Sequence, residues 1–345
     1  MGEMTARGPG PVAVVGGGSW GTALAVHLAR RGEAVSLWVR DPVRADEVAA
    51  GRRNERYLPG AVLAPGVRVT ASGREALAES DLVVVAVPSH GVADVMTRLA
   101  PEISPRAVVV SATKGLDPAR GLRVSQVLAG LLPGRPVAVL SGPSFAREVA
   151  AGLPTALVVA AEDEDVARRV QRRLASREFR LYTNRDVIGV EMAGALKNVM
   201  AIAAGLSDSL GLGDNARAAL ITRGLTEMTR IGVGVGASAR TFAGLAGLGD
   251  LVLTCTGALS RNRSLGLAVG SGQSPAAAEA SSPMVVEGVR TVHVALALAR
   301  AVGVAAPICE AVAAVLGGGV PAAQAVTALL SRELRPEEEA SLQHA

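Results

Sequence analysis

The chain has 345 residues, 49% of them hydrophobic but only 2% aromatic, with 40 glycines and a formal net charge of +4. That length predicts about two domains, and the apolar content excludes general disorder and leaves Ala, Val and Leu to fill the core. The small, scattered basic excess suits anionic small molecules, and without interleaved aromatic residues it does not make a nucleic-acid surface.

Met1–Gly10 carries no apolar run, so no signal peptide is expected. The first strong signal is Val12–Val15, which runs into Gly16-x-Gly18-x-x-Gly21 and then an Ala/Leu-rich segment with good helix propensity. Three glycines alone also fit an ordinary strand-to-helix turn. The strand before and the helix after make a dinucleotide site. Gly16 supplies the tight turn, Gly18 lets the backbone approach the pyrophosphate, and Gly21 lets helix and strand pack closely. The pyrophosphate then sits on unpaired N–H groups at the positive end of the helix.

Further strands are expected at Val35–Val39, Val67–Thr70, Leu82–Val87, Ala107–Ala112, Val137–Leu140, Ala156–Ala160 and Phe179–Tyr182. Several are nearly continuous Val, Leu and Ala, as in parallel strands covered on both faces. Helical runs such as Gly21–Arg31 and Val166–Ala175 separate many of them. The alternation predicts an α/β Rossmann domain with a doubly wound, mostly parallel sheet. At the end of the second strand Arg40 stands directly before Asp41. The arginine suits the 2′-phosphate of NADP and the carboxylate suits the ribose of NAD. The order favours NADP(H), with NAD(H) the alternative.

After about Asp186 the pattern changes to long helical segments: Val187–Leu206, Ala216–Val233, Val286–Val302 and Pro307–Gly317. We therefore expect an all-α C-terminal domain over residues 187–334 behind a dinucleotide-binding domain over residues 9–186. The apolar stretch Val294–Val320 is broken by Arg300, Pro307, Glu310 and Gly317–Gly319, so it reads as buried helices, not a membrane span. Ser271–Pro283 has the composition of a mobile loop, and Glu337–Glu339 reads as a solvated tail. Cys255 and Cys309 have no metal or redox spacing, which points to a reduced cytoplasmic protein.

Lys197 is the residue of greatest chemical interest. At helical spacing its neighbours are Ala193, Gly194, Met200, Ala201 and Ala204, a small apolar face that should be buried. A buried ammonium loses pKa and becomes usable as an acid or base near neutrality. The alternative is a stem that reaches out to solvent. Glu191 lies seven residues before Asn198 on a neighbouring stripe of that helix. Lys114, Ser141–Ala146 and Pro88-Ser89-His90 each follow a strand, at the edge where open α/β sheets bind ligands. Asp250 reads first as an N-cap for Leu251–Cys255. Ser260-Arg261-Asn262-Arg263 packs donors that suit a phosphate, although such clusters also occur on plain surfaces. His27, His90, His293 and His344 show no metal-ligand spacing, so no metal is expected. No Walker phosphate loop is present.

At this point the chain resembles the bacterial NAD(P)-dependent glycerol-3-phosphate dehydrogenases nearly from end to end. The shared motifs are Gly16–Ala25, Asn54–Gly60, Ala86–Ser89, Thr113–Leu116, Ser141–Glu148 and Gly189–Val199. They continue at Gly213–Asn215, Thr222–Glu227, Phe242–Leu251, Ser260–Arg263 and Val286–Gly288. The resemblance implies reversible reduction of dihydroxyacetone phosphate to sn-glycerol 3-phosphate, for glycerophospholipid synthesis, by a cytoplasmic homodimer with no membrane insertion. It implies Lys197 as the catalytic lysine, held in place by Asp250. Substrate would be held by Lys114, Asn198, Asp250, Ser260, Arg261 and Asn262, with Gly142 and Ser144 beside them. Beyond the glycine turn, the cofactor would touch Ser19, Trp20, Arg40, Ala146, Val285 and Glu287, and Lys114 and Arg261 would touch both ligands. Met192-Ala193 departs from the family, which commonly has a glycine there. Two rivals stand beside this reading. One is a dehydrogenase of the 3-hydroxyacid or 6-phosphogluconate type; the other is a dinucleotide sensor without turnover.

Overall fold

The computed structural model describes residues 10–331. Residue 9, the last residues of the expected helical domain and the Glu337–Glu339 run lie outside the described residues. The strands are β1 (Val12–Val15), β2 (Val35–Trp38), β3 (Val67–Thr70), β4 (Leu82–Val85), β5 (Val108–Ser111), β6 (Leu116–Asp117), β7 (Leu122–Arg123), β8 (Val137–Ser141), β9 (Thr155–Ala160) and β10 (Phe179–Asn184). Eight of them form one sheet in the order β10-β9-β8-β5-β4-β1-β2-β3. Every pair in it is parallel except β8 with β9. All eight were expected, with ends shifted by one or two residues. The two-residue hairpin of β6 and β7 was not, because it is too short to show a period.

The central strands are buried on both faces, and the alternation of side chains builds two cores. Val12, Val14, Leu37, Val84 and Val110 pack on one side, while Ala13, Val15, Val83, Val85 and Val109 pack on the other. Helix Ser19–Arg30 crosses the first face, and its His27 is buried there. His27 Nε2 donates to Leu174 O at 2.7 Å and the ring lies 4.3 Å from Phe179. Burial lowers its pKa, so it serves packing as a neutral ring.

Behind β10 the chain is all helical. Its axis is helix Val187–Ser209, buried around nearly its whole circumference. By length and composition it could cross a membrane, but 89% of its most apolar window is covered by the protein. Helices Gly213–Gly234, Arg261–Gly270 and Glu287–Ala301 surround it and supply Met228, Leu265, Val292 and Ala295 to a third core. Glycine sets the closest approach. A Cβ on Gly205 would strike Arg263 O, and one on Gly266 would strike Ile202 O, so the two backbones touch. Ser271–Pro283 contains helix Pro275–Ala280, started by Pro at its first position and by the Ser274 hydroxyl, which accepts from Ala277 N.

Candidate active site

The glycine turn lies where the strand order reverses, between β1 and β4. Gly16 sits at φ +119°, and a Cβ there would meet Ala86 O. A Cβ on Gly21 would collide with Gly16 O. Around Gly18 the Cβ position is open, with nothing within 4 Å. Two glycines thus permit close packing and the middle one leaves room for a ligand. Gly18 is extended (φ −78°, ψ −176°) and gives helix Ser19–Arg30 no side-chain cap, and no acidic residue occupies the first turn. Its free N–H groups face an anion-ready space. Asn54 Nδ2 braces the turn by donating to Gly17 O and to Thr22 Oγ1, both at 2.8 Å. Trp20 Nε1 is buried without a hydrogen-bond partner among the described residues. These features fit a dinucleotide pyrophosphate.

The helical domain presents Lys197 to the same sheet edge. Its side chain is 8% exposed, so the buried reading holds and the solvent-reaching one does not. Nζ donates to Thr254 Oγ1 at 2.8 Å and pairs with Asp250 Oδ1 at 3.3 Å. Lys114, just past β5, reaches the other oxygen: Nζ lies 2.8 Å from Asp250 Oδ2, 2.6 Å from Gly142 O and 3.0 Å from Ser144 Oγ. Burial lowers the Lys197 pKa to about 8; Lys114 adds to the fall and Asp250 opposes it. Burial pushes Asp250 upward, but the two lysines outweigh it and hold the carboxyl below its ordinary value. The result is a buried cation able to give up a proton near neutral pH, held by a carboxylate that stays ionised.

A relay of amides ties the rest together. Asn198 Nδ2 donates to Lys114 O at 2.9 Å, Asn262 Nδ2 donates to Asn198 Oδ1 at 2.9 Å, and Gly288 N donates to Asn262 Oδ1 at 3.0 Å. Glu287 accepts from Ser89 N at 2.9 Å and Ser89 Oγ at 2.5 Å, fastening the helical domain to the loop after β4. Val285, half-buried, lies two residues before Glu287. Ser260 is a buried N-cap whose hydroxyl accepts from Arg263 N at 3.3 Å, which puts Arg261 and Asn262 in the first turn of helix Arg261–Gly270. The Arg261 side chain hydrogen-bonds to no described residue. Arg261 is exposed. Ala146 opens helix Ala146–Ala151 beside Ser144.

Arg40 stands apart from this cluster, exposed at the end of β2 and without a hydrogen bond to any described residue. Asp41 is engaged: Oδ1 accepts from Val43 N at 3.1 Å and Oδ2 lies 3.6 Å from Arg44 Nε. Asp250 is not the N-cap, but it does hold Lys197 as the resemblance implies. Gly249 takes the N-cap position, after a π turn over Leu245–Gly249, and Asp250 becomes the first helical residue with its carboxylate spent on the lysines. Glu191 turns away from the cluster toward Ser125 and Arg123. Sequence reasoning missed Thr254. Its position four residues after Asp250 on one helix was the available signal. Among the described residues no three His, Cys, Asp or Glu side chains converge on a metal-sized site.

A cradle for a dinucleotide on the same sheet edge as a buried, proton-carrying lysine defines the class: a nicotinamide-dependent oxidoreductase. Residues 11–167 match the family described as NAD-dependent glycerol-3-phosphate dehydrogenase N-terminus, and residues 186–327 match its C-terminus. The chain belongs to the NAD-dependent glycerol-3-phosphate dehydrogenase family. It is 51% identical over 329 residues to a Geobacter sulfurreducens glycerol-3-phosphate dehydrogenase (NAD(P)+), covering 94% of this chain and 98% of that one. It is 52% identical over 328 residues to the protein of that name in Thioalkalivibrio sulfidiphilus, covering 95% and 98%. The crystal structure of glycerol-3-phosphate dehydrogenase from Coxiella burnetii superposes with a TM-score of 0.91 at 42% identity, covering 94% of this chain and 99% of that one.

Proposed function

We propose that the chain reduces dihydroxyacetone phosphate to sn-glycerol 3-phosphate with NAD(P)H, reversibly. The observation that carries this reading is the placement of Lys197 and Lys114 on the two oxygens of Asp250, beside the dinucleotide cradle. When bound, the reduced nicotinamide supplies the hydride. Negative charge then grows on the carbonyl oxygen, and Lys197 stabilises it and delivers the proton. Asp250 and Thr254 aim the ammonium. Lys114, held by Gly142 O and Ser144, orients the substrate.

Arg261 and the first turn of its helix, with Asn262, grip the phosphate, so binding remote from the reacting carbon orients it. A dehydrogenase of the 3-hydroxyacid or 6-phosphogluconate type would also offer Arg261 an anion, so substrate turnover separates that rival, while the sensor reading leaves the lowered Lys197 pKa without use. Gly16, Gly18, Ser19, Trp20 and Gly21 hold the pyrophosphate end, with Ala146, Val285 and Glu287 along the cofactor's path. Arg40 takes the 2′-phosphate. Because Asp41 is already spent as a cap, NADPH is the preferred cofactor.

The domain boundary lies at Asp186, whose side chain accepts from Gly189 N and starts helix Val187–Ser209. The two buried free thiols, Cys255 and Cys309, support a cytoplasmic location. The family resemblance carries the homodimer and the supply of glycerol phosphate to glycerophospholipid synthesis. Absorbance of NADPH and of NADH, followed separately with dihydroxyacetone phosphate as substrate, tests the reaction. Turnover of 3-hydroxyacids instead, or binding without turnover, would replace it with one of its rivals.

A further inference from the structure

We propose that Glu191 is a positioning residue: it staples the catalytic helix to the segment that carries Lys114 and so sets Lys197 in register with Lys114. The inference rests on the reading that Lys197 delivers the proton. Glu191, Gly194 and Asn198 lie along one face of helix Val187–Ser209. All three meet the carboxyl edge of the sheet. The Glu191 carboxylate has no solvent exposure. Its Oε1 accepts from Ser125 N at 2.8 Å; its Oε2 accepts from Ser125 Oγ at 2.5 Å and Arg123 Nη1 at 3.1 Å. Gly194 has no side chain because a Cβ there would strike Ser141 Oγ. Asn198 grips Lys114 O.

The chain from Lys114 to Ser125, with the β6–β7 hairpin inside it, is therefore held at both ends by residues seven apart on one rigid helix. Arg123 also donates to Ser125 Oγ at 2.8 Å, closing the triangle. Ser125 lies in the first turn of helix Val124–Leu131, so the carboxylate satisfies an N–H that the helix leaves open. Burial raises the Glu191 pKa, against the pull of Ser125 and Arg123. A buried ion pair is a poor source of net stability, since apolar side chains of similar volume commonly do as well. What Glu191 supplies that an apolar side chain cannot is a directional link between the two lysine-bearing elements.

The test compares Glu191→Ala and Glu191→Gln with wild type in kcat and KM for dihydroxyacetone phosphate, and in NADPH dissociation constant by fluorescence. Misplacement of about an ångström costs on the order of 100-fold, so the Ala variant should lose about 10- to 100-fold in kcat. Its NADPH affinity should fall far less than kcat, because the pyrophosphate cradle lies elsewhere and Lys114 is the one cofactor contact on the stapled segment. The Gln variant keeps an acceptor for Ser125 N and should recover to within about fivefold of wild type. If the Ala variant does not fold, Ser125→Ala cuts the staple from the other side, and a kcat loss of about three- to tenfold is expected. An unchanged kcat in the folded variant tested overturns the proposal. So does a loss of NADPH affinity equal to the loss of kcat, which would make Glu191 merely structural. Absence of turnover in wild type would instead sink the dehydrogenase reading itself, and this proposal with it.

Discussion

Lys114 and Lys197 are joined through one carboxylate: Asp250 Oδ2 lies 2.8 Å from Lys114 Nζ, and Oδ1 lies 3.3 Å from Lys197 Nζ. Two cations on one anion leave the pocket positive, which suits a phosphorylated substrate and a developing alkoxide. The lysines come from different parts of the fold, one from the sheet edge and one from the helical domain. In the proposed mechanism Asp250 couples substrate orientation to proton delivery.

Lys197→Met should nearly abolish turnover and leave NADPH binding intact, because the glycine turn lies in the other domain. Loss of a positioned proton donor costs on the order of 10²–10⁴-fold, and loss of charge stabilisation adds to it. Steady-state kinetics with NADPH titration checks both halves. A variant with more than about a tenth of wild-type kcat would remove Lys197 from the mechanism.

The strands could be read from the sequence because β1, β4 and β5 are short apolar runs bounded by turns, and burial on both faces leaves them apolar but for Ser111 at the last position of β5. Gly16, Gly18 and Gly21 were legible for a local reason: each spacing answers a backbone constraint within one turn. Lys197 declared its burial by its small neighbours. Its bond to Thr254 and its sharing of Asp250 with Lys114 did not show, because sequence separations of 57 and 136 residues are closed only by tertiary packing. The resemblance implied the hold of Asp250 on Lys197, and only its N-cap reading misled, for a related reason. A carboxylate before an apolar run has the local pattern of a cap, and only the two lysines from elsewhere claim it instead. The Glu191 staple to Ser125 spans 66 residues and left no local mark at all.

In the reductive direction Lys197 must be protonated, and its pKa is lowered to about 8. The kcat for reduction should therefore be full below that value and fall as pH rises through it, while the oxidative kcat should rise over the same range. Asp250→Asn removes the carboxylate that raises the Lys197 pKa, so the alkaline limb for reduction should move to lower pH as kcat drops. Rates from pH 6 to about 10 in both directions measure this. A limb at the same pH in wild type and variant would mean that another group titrates.

Arg261→Ala should raise KM for dihydroxyacetone phosphate far more than for unphosphorylated dihydroxyacetone. A hydrogen bond from the guanidinium to phosphate contributes roughly 1.5–3 kcal/mol, or about 10- to 150-fold. Asn262 and the helix N-terminus remain in the variant, so binding should weaken without vanishing. Equal losses for the two substrates would place the phosphate elsewhere.

Arg40→Ala should weaken NADPH binding more than NADH binding. Only NADPH carries the 2′-phosphate, so only it can lose a charge-assisted contact, and the selective loss should be about tenfold or more. The local geometry sharpens the expectation. Arg40 is exposed and hydrogen-bonds to no described residue, so it needs to break nothing to reach the phosphate. Asp41, which would otherwise favour the free ribose hydroxyls of NADH, is held by Val43 N and Arg44. Asp41→Ala should therefore shift the cofactor ratio much less than Arg40→Ala, its main effect being the loss of a helix cap, about 1 kcal/mol of stability. Titration of both cofactors into wild type and the two variants gives the ratios of dissociation constants. A ratio that moves with Asp41 and not with Arg40 would reverse the assignment and make NADH the preferred cofactor.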